Sequence, residues 1–299
     1  MEIQTRPGNR GVSCGKAYPL VKPFLKWAGG KRQLLSEIKK HLPKNIQEYT
    51  YYEPFVGAGA LFFDLQPRRA VINDRNIQLM LTYTAIKENV EGLIALLKQH
   101  KNTEEYFYRL RNADRHGERF KGMTTIEKAA RLIFLNKTCF NGLYRVNSRG
   151  FFNVPYGKYK NPMVCEGAVL RQISRYLNGG TIDILSGDFE PALMDAGKNA
   201  FVYFDPPYHS SDKTGFTGYQ AGGFNQNDQE RLRDLMVRIS RRGAKCLLSN
   251  SDTEYIRRLY SDDFFEIIPL RAKRNINADP AGRSNAREVL IKNWKDPCP

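Results

Sequence analysis

Cysteine is scarce in this 299-residue chain, and the five present (Cys14, Cys139, Cys165, Cys246 and Cys298) include no C-x-x-C pair. An odd number without close spacing argues against a disulfide framework or a zinc site, so a reducing compartment and no metal are expected. Long apolar runs are missing too, so no membrane span is expected, and the stretch from Met1 to Gly15 is too polar for the core of a secretion signal. Residues 1–18 read as a loose tail. Acid is in deficit: 31 Asp and Glu against 47 Lys and Arg give a formal net charge of +16, with 12% aromatic residues. That balance points to a polyanionic partner. Phosphate-binding signatures are incomplete as well. The glycines at 57 and 59 have no third Gly at dinucleotide spacing, and no Gly-Lys-Ser/Thr follows them.

What the chain does contain is organised around Asp205-Pro206-Pro207-Tyr208. The preceding run Ala200 to Phe204 is apolar, aromatic and β-branched, as a buried parallel strand should be. The two prolines cannot donate to a ladder, so the backbone should leave the sheet here with its carbonyls unpaired. Asp205 and the Pro206 carbonyl can accept two N–H bonds from an amino group on a flat ring, while Tyr208 stacks on the ring face. Alone, the tetrapeptide could be only a strand-ending turn. Its neighbours carry the argument.

Tyr51 to Phe63 reads as strand, Gly-x-Gly loop and helix, the first turn of a nucleotide-binding α/β sheet, but with Glu53 closing the strand where a pyrophosphate would be repelled. A second strand ends at Asp74, placed to accept ribose hydroxyls or to cap the next helix. A third runs Thr181 to Asp188, a fourth ends at Asp205, and further strands are expected at 244–250, 264–268 and 288–294, with helices over 227–241 and 253–260. Upstream, Trp27 and Lys31 flank Gly29-Gly30 before a helix expected from Arg32 to Ile38. Between 77 and 162 helical intervals dominate (Leu79 to Leu97, Ile126 to Leu135), followed by a hairpin over 140–154 that turns at Ser148 to Gly150. Residues 101–160 hold 13 Lys or Arg against five Asp or Glu, which makes this insertion the expected nucleic-acid face. A Gly-rich aromatic loop at 216–224 and an apolar-poor basic segment at 271–287 are expected to be mobile.

In a doubly wound sheet a ligand sits beyond the carboxyl ends of the strands, where strand order reverses. A site holding a Gly loop, several acids and Trp27 suits S-adenosylmethionine, whose amino group and sulfonium are cationic and which carries no phosphate.

The motifs Lys26-Trp27-Ala28-Gly29-Gly30-Lys31, Glu53 to Gly59, Asn141-Gly142-Leu143-Tyr144-Arg145, Phe152 to Gly157 and Asp205-Pro206-Pro207-Tyr208 together resemble the Dam and DpnII group of DNA adenine-N6 methyltransferases, from about Pro23 onward. The resemblance implies an α/β, doubly wound Rossmann-like S-adenosylmethionine-dependent sheet with an inserted, mainly helical target-recognition domain and β-hairpin. Residues 19–76 and 163–299 would be catalytic and 77–162 would read DNA. It implies catalysis by Asp205, Pro206 and Tyr208. Cofactor contacts fall to Trp27, Lys31, Glu53, Phe55, Gly57, Asp74, Asp188 and Asp205. DNA contacts fall to Phe140, Asn141, Leu143, Arg145, Asn147, Arg149 and Pro155. Phe140 stands where some relatives have Tyr. The expected partner is double-stranded DNA, usually at GATC, methylated in the bacterial cytoplasm by a monomer or weak dimer. A cognate restriction endonuclease would not be a stable subunit. Cytosine N4 and RNA adenine remain alternative targets, and an inactive DNA-binding relative is the non-enzymatic alternative. Cytosine C5 chemistry is disfavoured, because its usual Pro-Cys context occurs only at Cys298.

Overall fold

Five runs become parallel neighbours in one sheet: Thr50–Glu53 (β1), Arg69–Asp74 (β2), Thr181–Ser186 (β3), Ala200–Phe204 (β4) and Lys245–Ser251 (β5). Glu266–Arg271 (β6) and Arg287–Lys292 (β7) complete it in the order β3-β2-β1-β4-β5-β7-β6, with β7 antiparallel to both of its neighbours. The chain builds outward from β1 to β3, returns to the middle at β4, and builds outward the other way. This is the expected α/β, doubly wound architecture, and its reversal of order falls between β1 and β4. The computed structural model describes residues 18–27, 29, 31, 34–209, 223–271 and 287–295.

The central strand shows why both faces are covered. All five residues of β4 are buried, and alternate side chains serve different cores because successive Cβ atoms point to opposite faces. Phe201 and Tyr203 join one apolar cluster with Phe62, Phe63, Tyr83, Phe134 and Ile173. Val202 and Phe204 join a second with Leu232, Met236, Ile239 and Ile256. The first face is covered by Leu35–Lys40 (α1), Ala60–Leu65 (α2), Ile77–Glu88 (α3), Val90–Gln99 (α4), Glu104–Arg111 (α5), Thr125–Thr138 (α7) and Gly167–Asn178 (α8); the short Gly117–Lys121 (α6) lies between α5 and α7 in sequence. Gln226–Arg241 (α9) and Glu254–Leu259 (α10) cover the other. Buried residues of α3, α4 and α7 therefore share one core with the sheet.

Local chemistry sets the boundaries. The helical intervals from Leu79 to Leu97 resolve into two helices, because the Asn89 side chain accepts from Gly92 N and restarts the chain as an N-cap. A capping box between Thr124 and Glu127 opens α7. The first helix runs Leu35–Lys40 with Leu34 as its N-cap, and Gly30, Arg32 and Gln33 of the expected start lie outside the described residues. Helix α8 was not anticipated, although Val169, Leu170, Ile173, Tyr176 and Leu177 repeat at helical spacing.

The expected hairpin at 140–154 is shorter than foreseen. Asn147 N donates to Phe151 O and Asn153 N to Arg145 O, with Gly150 N closing the turn on Asn147 O. Phe140–Gly142 instead form a single 3₁₀ turn in which Asn141 and Gly142 take positive φ. Among the described residues no helix is long and apolar enough to cross a membrane. The tail, most of the loop expected at 216–224, and residues 272–286 lie outside the described residues.

Candidate active site at the carboxyl ends of the strands

Strands β1 and β4 pair in parallel through Tyr51–Phe201 and Tyr52–Val202, so Glu53-Pro54 and Asp205-Pro206 leave the sheet side by side. Asp205 sits in the mouth between them. Its Oδ1 lies 2.9 Å from Lys31 Nζ. The pair joins an ammonium and a carboxylate at charge-assisted contact distance. Burial pushes the Asp205 carboxyl up from its ordinary range, and Lys31 pulls it part of the way back. The same ammonium lies 4.2 Å from the centre of the Tyr208 ring. Tyr208 in turn donates from its hydroxyl to Glu288 Oε2 at 2.8 Å.

The expectation that the motif's carbonyls go unpaired is corrected by Gln229, whose Nε2 donates to Pro207 O at 3.1 Å. Among the described residues nothing donates to Pro206 O, the carbonyl singled out in the sequence.

Facing this mouth is the glycine loop. Gly57 has φ +50° and donates its N–H to Asp74 Oδ2 at 3.0 Å, while Asp74 Oδ1 accepts from Asn76 N at 2.8 Å. Asp74 thus holds the loop and the start of α3 together. Burial pushes its carboxyl up to about 6 despite those two bonds. A Cβ at Gly57 would stand 3.0 Å from Trp27 Cδ1, so the indole lies directly on the loop and requires a glycine there. From beneath, Tyr83 donates its hydroxyl to Gly57 O at 3.0 Å. Phe55 closes one side against Phe189 and Phe224, with ring centres 5.3 and 5.8 Å away.

The four strand-ending acids are not equivalent. Glu53 is buried and accepts from Tyr51 Oη at 2.8 Å, and burial holds its carboxyl well above the usual range. Asp188 falls two residues beyond the end of β3 and is exposed. It is ion-paired with Arg231 and accepts from Glu190 N at 3.0 Å, so it stands at the rim with its charge compensated. The expected ring of free acids is therefore Asp74 and Asp205 inside, Glu53 behind, and a neutralised Asp188 at the edge.

The segment expected to read DNA adjoins this site. Phe140, Asn141 and Leu143 point outward, with Phe140 52% and Leu143 38% exposed, large values for apolar side chains. Gly142 and Tyr144 point inward. Tyr144 stacks on Trp27, with centres 4.9 Å and planes 22° apart. Asn136, fully buried in α7, joins the two motifs: its Oδ1 accepts from Lys26 N, and its Nδ2 donates to Lys26 O and Gly142 O, all between 2.8 and 2.9 Å. Arg145 donates to Asn153 Oδ1 at 2.7 Å. Asn147 Oδ1 accepts from the backbone of Arg149 and Phe151, so it builds the turn that presents Arg149, which is exposed at the tip. Pro155, also exposed, accepts from Phe140 N at 2.9 Å.

Four neighbours of the site escaped the sequence reading: Glu288, Gln229, Asn250 and Asn136. Asn250 lies one residue before the end of β5, beside β4, whose end Asp205 directly follows, and that position was a usable signal. The other three are brought in by tertiary packing, which no local pattern reports.

A family model described as D12 class N6 adenine-specific DNA methyltransferase matches residues 27–276. The chain is similar to a type II methyltransferase of Lactococcus lactis subsp. cremoris, 44% identical over 277 residues that cover 92% of this chain and 96% of the relative. It is also similar to a type II methyltransferase of Methanocaldococcus jannaschii, at 42% identity over 92% of this chain and 99% of that one. A DNA adenine methylase of Haemophilus influenzae is 34% identical over 90% of this chain and 92% of its own length.

Proposed function

Since the chain belongs to the D12 class of N6 adenine-specific DNA methyltransferases, we propose that its donor is S-adenosylmethionine, that its substrate is duplex DNA carrying GATC, and that it acts on an adenine swung out of the helix. One observation supports this above the others: the β1–β4 pairing sets the glycine loop beside Asp205, whose carboxylate is held in the mouth by Lys31 at 2.9 Å.

The donor set suits S-adenosylmethionine. Acids, rings and a glycine backbone line the site, and a Cβ at Gly57 would collide with Trp27. Trp27, Lys31, Glu53, Phe55, Gly57, Asp74, Asp188 and Asp205 are the residues that would hold it, with Asp74 facing hydroxyls and Phe55 a flat ring. When bound, it supplies a methyl group on a cationic sulfur.

The chain's own residues do the rest. Turning adenine out of the duplex costs about a few kcal/mol, and stacking on Tyr208 returns roughly 1–3 kcal/mol. The adenine amine is a weak nucleophile because its lone pair is delocalised into the ring. Asp205 and the Pro206 carbonyl accept its two N–H bonds, which localises that pair and aims it, and Asp205 is placed to take up the proton released on transfer. Recognition falls to residues 77–162: Arg145, Asn141 and Arg149 offer bidentate or phosphate contacts, Asn147 and Pro155 shape the turn, and exposed Phe140 and Leu143 can wedge against bases. In this reading the protein works as a monomer or weak dimer in the cytoplasm, with any cognate restriction endonuclease a separate protein.

The test is transfer of labelled methyl from S-adenosylmethionine to duplexes containing GATC or a scrambled site, followed by hydrolysis to nucleosides. N6-methyl-2′-deoxyadenosine appearing only with GATC is expected. Label on cytosine N4, or equal label on both duplexes, overturns the target assignment.

A further inference from the structure

We propose that Asn250 and Gln229 are positioning residues for methyl transfer, forming an amide relay that fixes the peptide groups on both sides of Tyr208 and so holds the backbone that carries Tyr208 and the Pro206 carbonyl. The inference rests on the reading that Asp205 to Tyr208 receives the target amine.

The two side chains come from different elements and are almost completely enclosed: Asn250 near the end of β5 is 0% exposed and Gln229 in the first turns of α9 is 1% exposed. Asn250 Oδ1 accepts from His209 N at 3.1 Å and from Ser251 N at 2.8 Å. Its Nδ2 donates to Gln229 Oε1 at 3.1 Å, and Gln229 Nε2 donates to Pro207 O at 3.1 Å. The polarity of the relay is fixed at both ends, since a backbone N–H can only donate and a carbonyl can only accept. Turning either amide over would set like groups against each other.

The relay also occupies part of the motif's backbone. Pro206 and Pro207 have no N–H. Pro207 O is taken by Gln229, His209 N by Asn250, and His209 O by Ser251 Oγ at 2.5 Å. Nothing among the described residues donates to Pro206 O. Anchors at Pro207 O and His209 N hold the two peptide planes that flank Tyr208, and so the position of its Cα and the path of the backbone leading back to Pro206. A buried amide pair used only to close β5 against α9 would not need to reach the two residues, Pro207 and His209, that flank Tyr208.

Isosteric variants separate positioning from simple packing. Asn250→Asp and Gln229→Glu keep size and shape, yet each puts an acceptor where the relay needs a donor. Gln229→Met keeps length and removes the bond to Pro207 O without repulsion. We expect kcat for transfer to a GATC duplex to fall by about tenfold or more in each, since a displacement of about 1 Å at the reacting groups can cost about a hundredfold. Affinity for S-adenosylmethionine and for DNA should hold within about threefold, and 2-aminopurine at the target position should still brighten on binding, because turning the base out does not need the relay. Folded variants with unchanged kcat overturn the inference, as do variants whose loss lies wholly in affinity. Should Asn250→Asp melt early, Gln229→Met on the helix decides. If the unmodified protein methylates no duplex, the reading of the motif itself has failed; if it is active and the variants match it, only the relay has failed.

Discussion

Lys31 reaches across the mouth of the sheet to Asp205, with Nζ 2.9 Å from Oδ1 and the same ammonium 4.2 Å from the Tyr208 ring centre. One cation thus contacts both the carboxylate and the ring assigned to the target base. Burial raises the Asp205 carboxyl, Glu288 adds to the rise, and Lys31 opposes it. An acceptor must be ionised, so activity should fall as pH drops through this raised value. The acid limb of kcat/KM against pH is expected above the ordinary carboxylate range. Lys31→Met removes the opposing charge and should move that limb to higher pH. A limb that stays put in Lys31→Met, or near-normal turnover by Asp205→Ala, contradicts the assignment.

Asp74 gives a stability prediction with a definite sign. Its folded pKa is pushed up to about 6, whereas an unfolded Asp titrates near about 3.9. Between those values the folded chain binds a proton that the unfolded chain does not, so acidification stabilises the fold through this group and the burial penalty is full above the folded value. Relative to Asp74→Asn, the wild-type protein should gain melting temperature as pH is lowered from about 7 to about 5. A gap that is flat with pH would show that Asp74 titrates normally. The same substitution should weaken binding of S-adenosylmethionine.

In the region assigned to recognition, Arg131 and Asp114 form a buried ion pair at 2.8 Å, their side chains 2% and 5% exposed. Arg131 also donates to Leu110 O and Arg111 O, and Asp114 Oδ2 accepts from Phe152 N at the base of the turn. Arg115 also reaches Asp114, at 3.1 Å, so removing Arg131 leaves the buried carboxylate with one partly exposed cation, at a cost of up to about 3–5 kcal/mol. Arg131→Ala should therefore shift the urea midpoint sharply. A shift below about 1 kcal/mol would mean that the pair is weakly coupled to the fold.

DNA affinity should fall steeply with salt. Residues 101–160 carry 13 basic against five acidic side chains. If Arg149 contacts phosphate, Arg149→Ala should flatten the slope of log affinity against log salt by about 0.9 and weaken all sequences alike. Arg145→Ala should instead cost about 1–3 kcal/mol on GATC and little elsewhere. Titrations at several salt concentrations on matched and scrambled duplexes distinguish the two behaviours.

Strand ends were easy to read from the sequence because each buried run stops at a chemically distinct residue: Glu53, Asp74 and Asp205 all occupy or directly follow strand termini. The adjacency of β1 and β4 followed from the handed logic of doubly wound sheets rather than from any residue. What stayed hidden were side chains whose partners lie far away in sequence. Glu288 meets Tyr208 across 80 positions and Asn136 meets Lys26 across 110. The ion pair at Asp188 was illegible for the same reason, since Arg231, its partner, lies 43 residues downstream. The break at Asn89 was missed because apolar spacing continues through it, while the capping side chain that interrupts the helix is polar.

The triple bond set of Asn136 has a practical corollary for building chimaeras. The Lys26 backbone and the Gly142 turn are stitched to one amide, and a Cβ at Gly142 would fall 2.3 Å from Lys26 Cδ. A specificity cassette grafted from a cousin with another target must carry both sides of that seam. Splicing between them leaves two mismatched halves, however well each half folds.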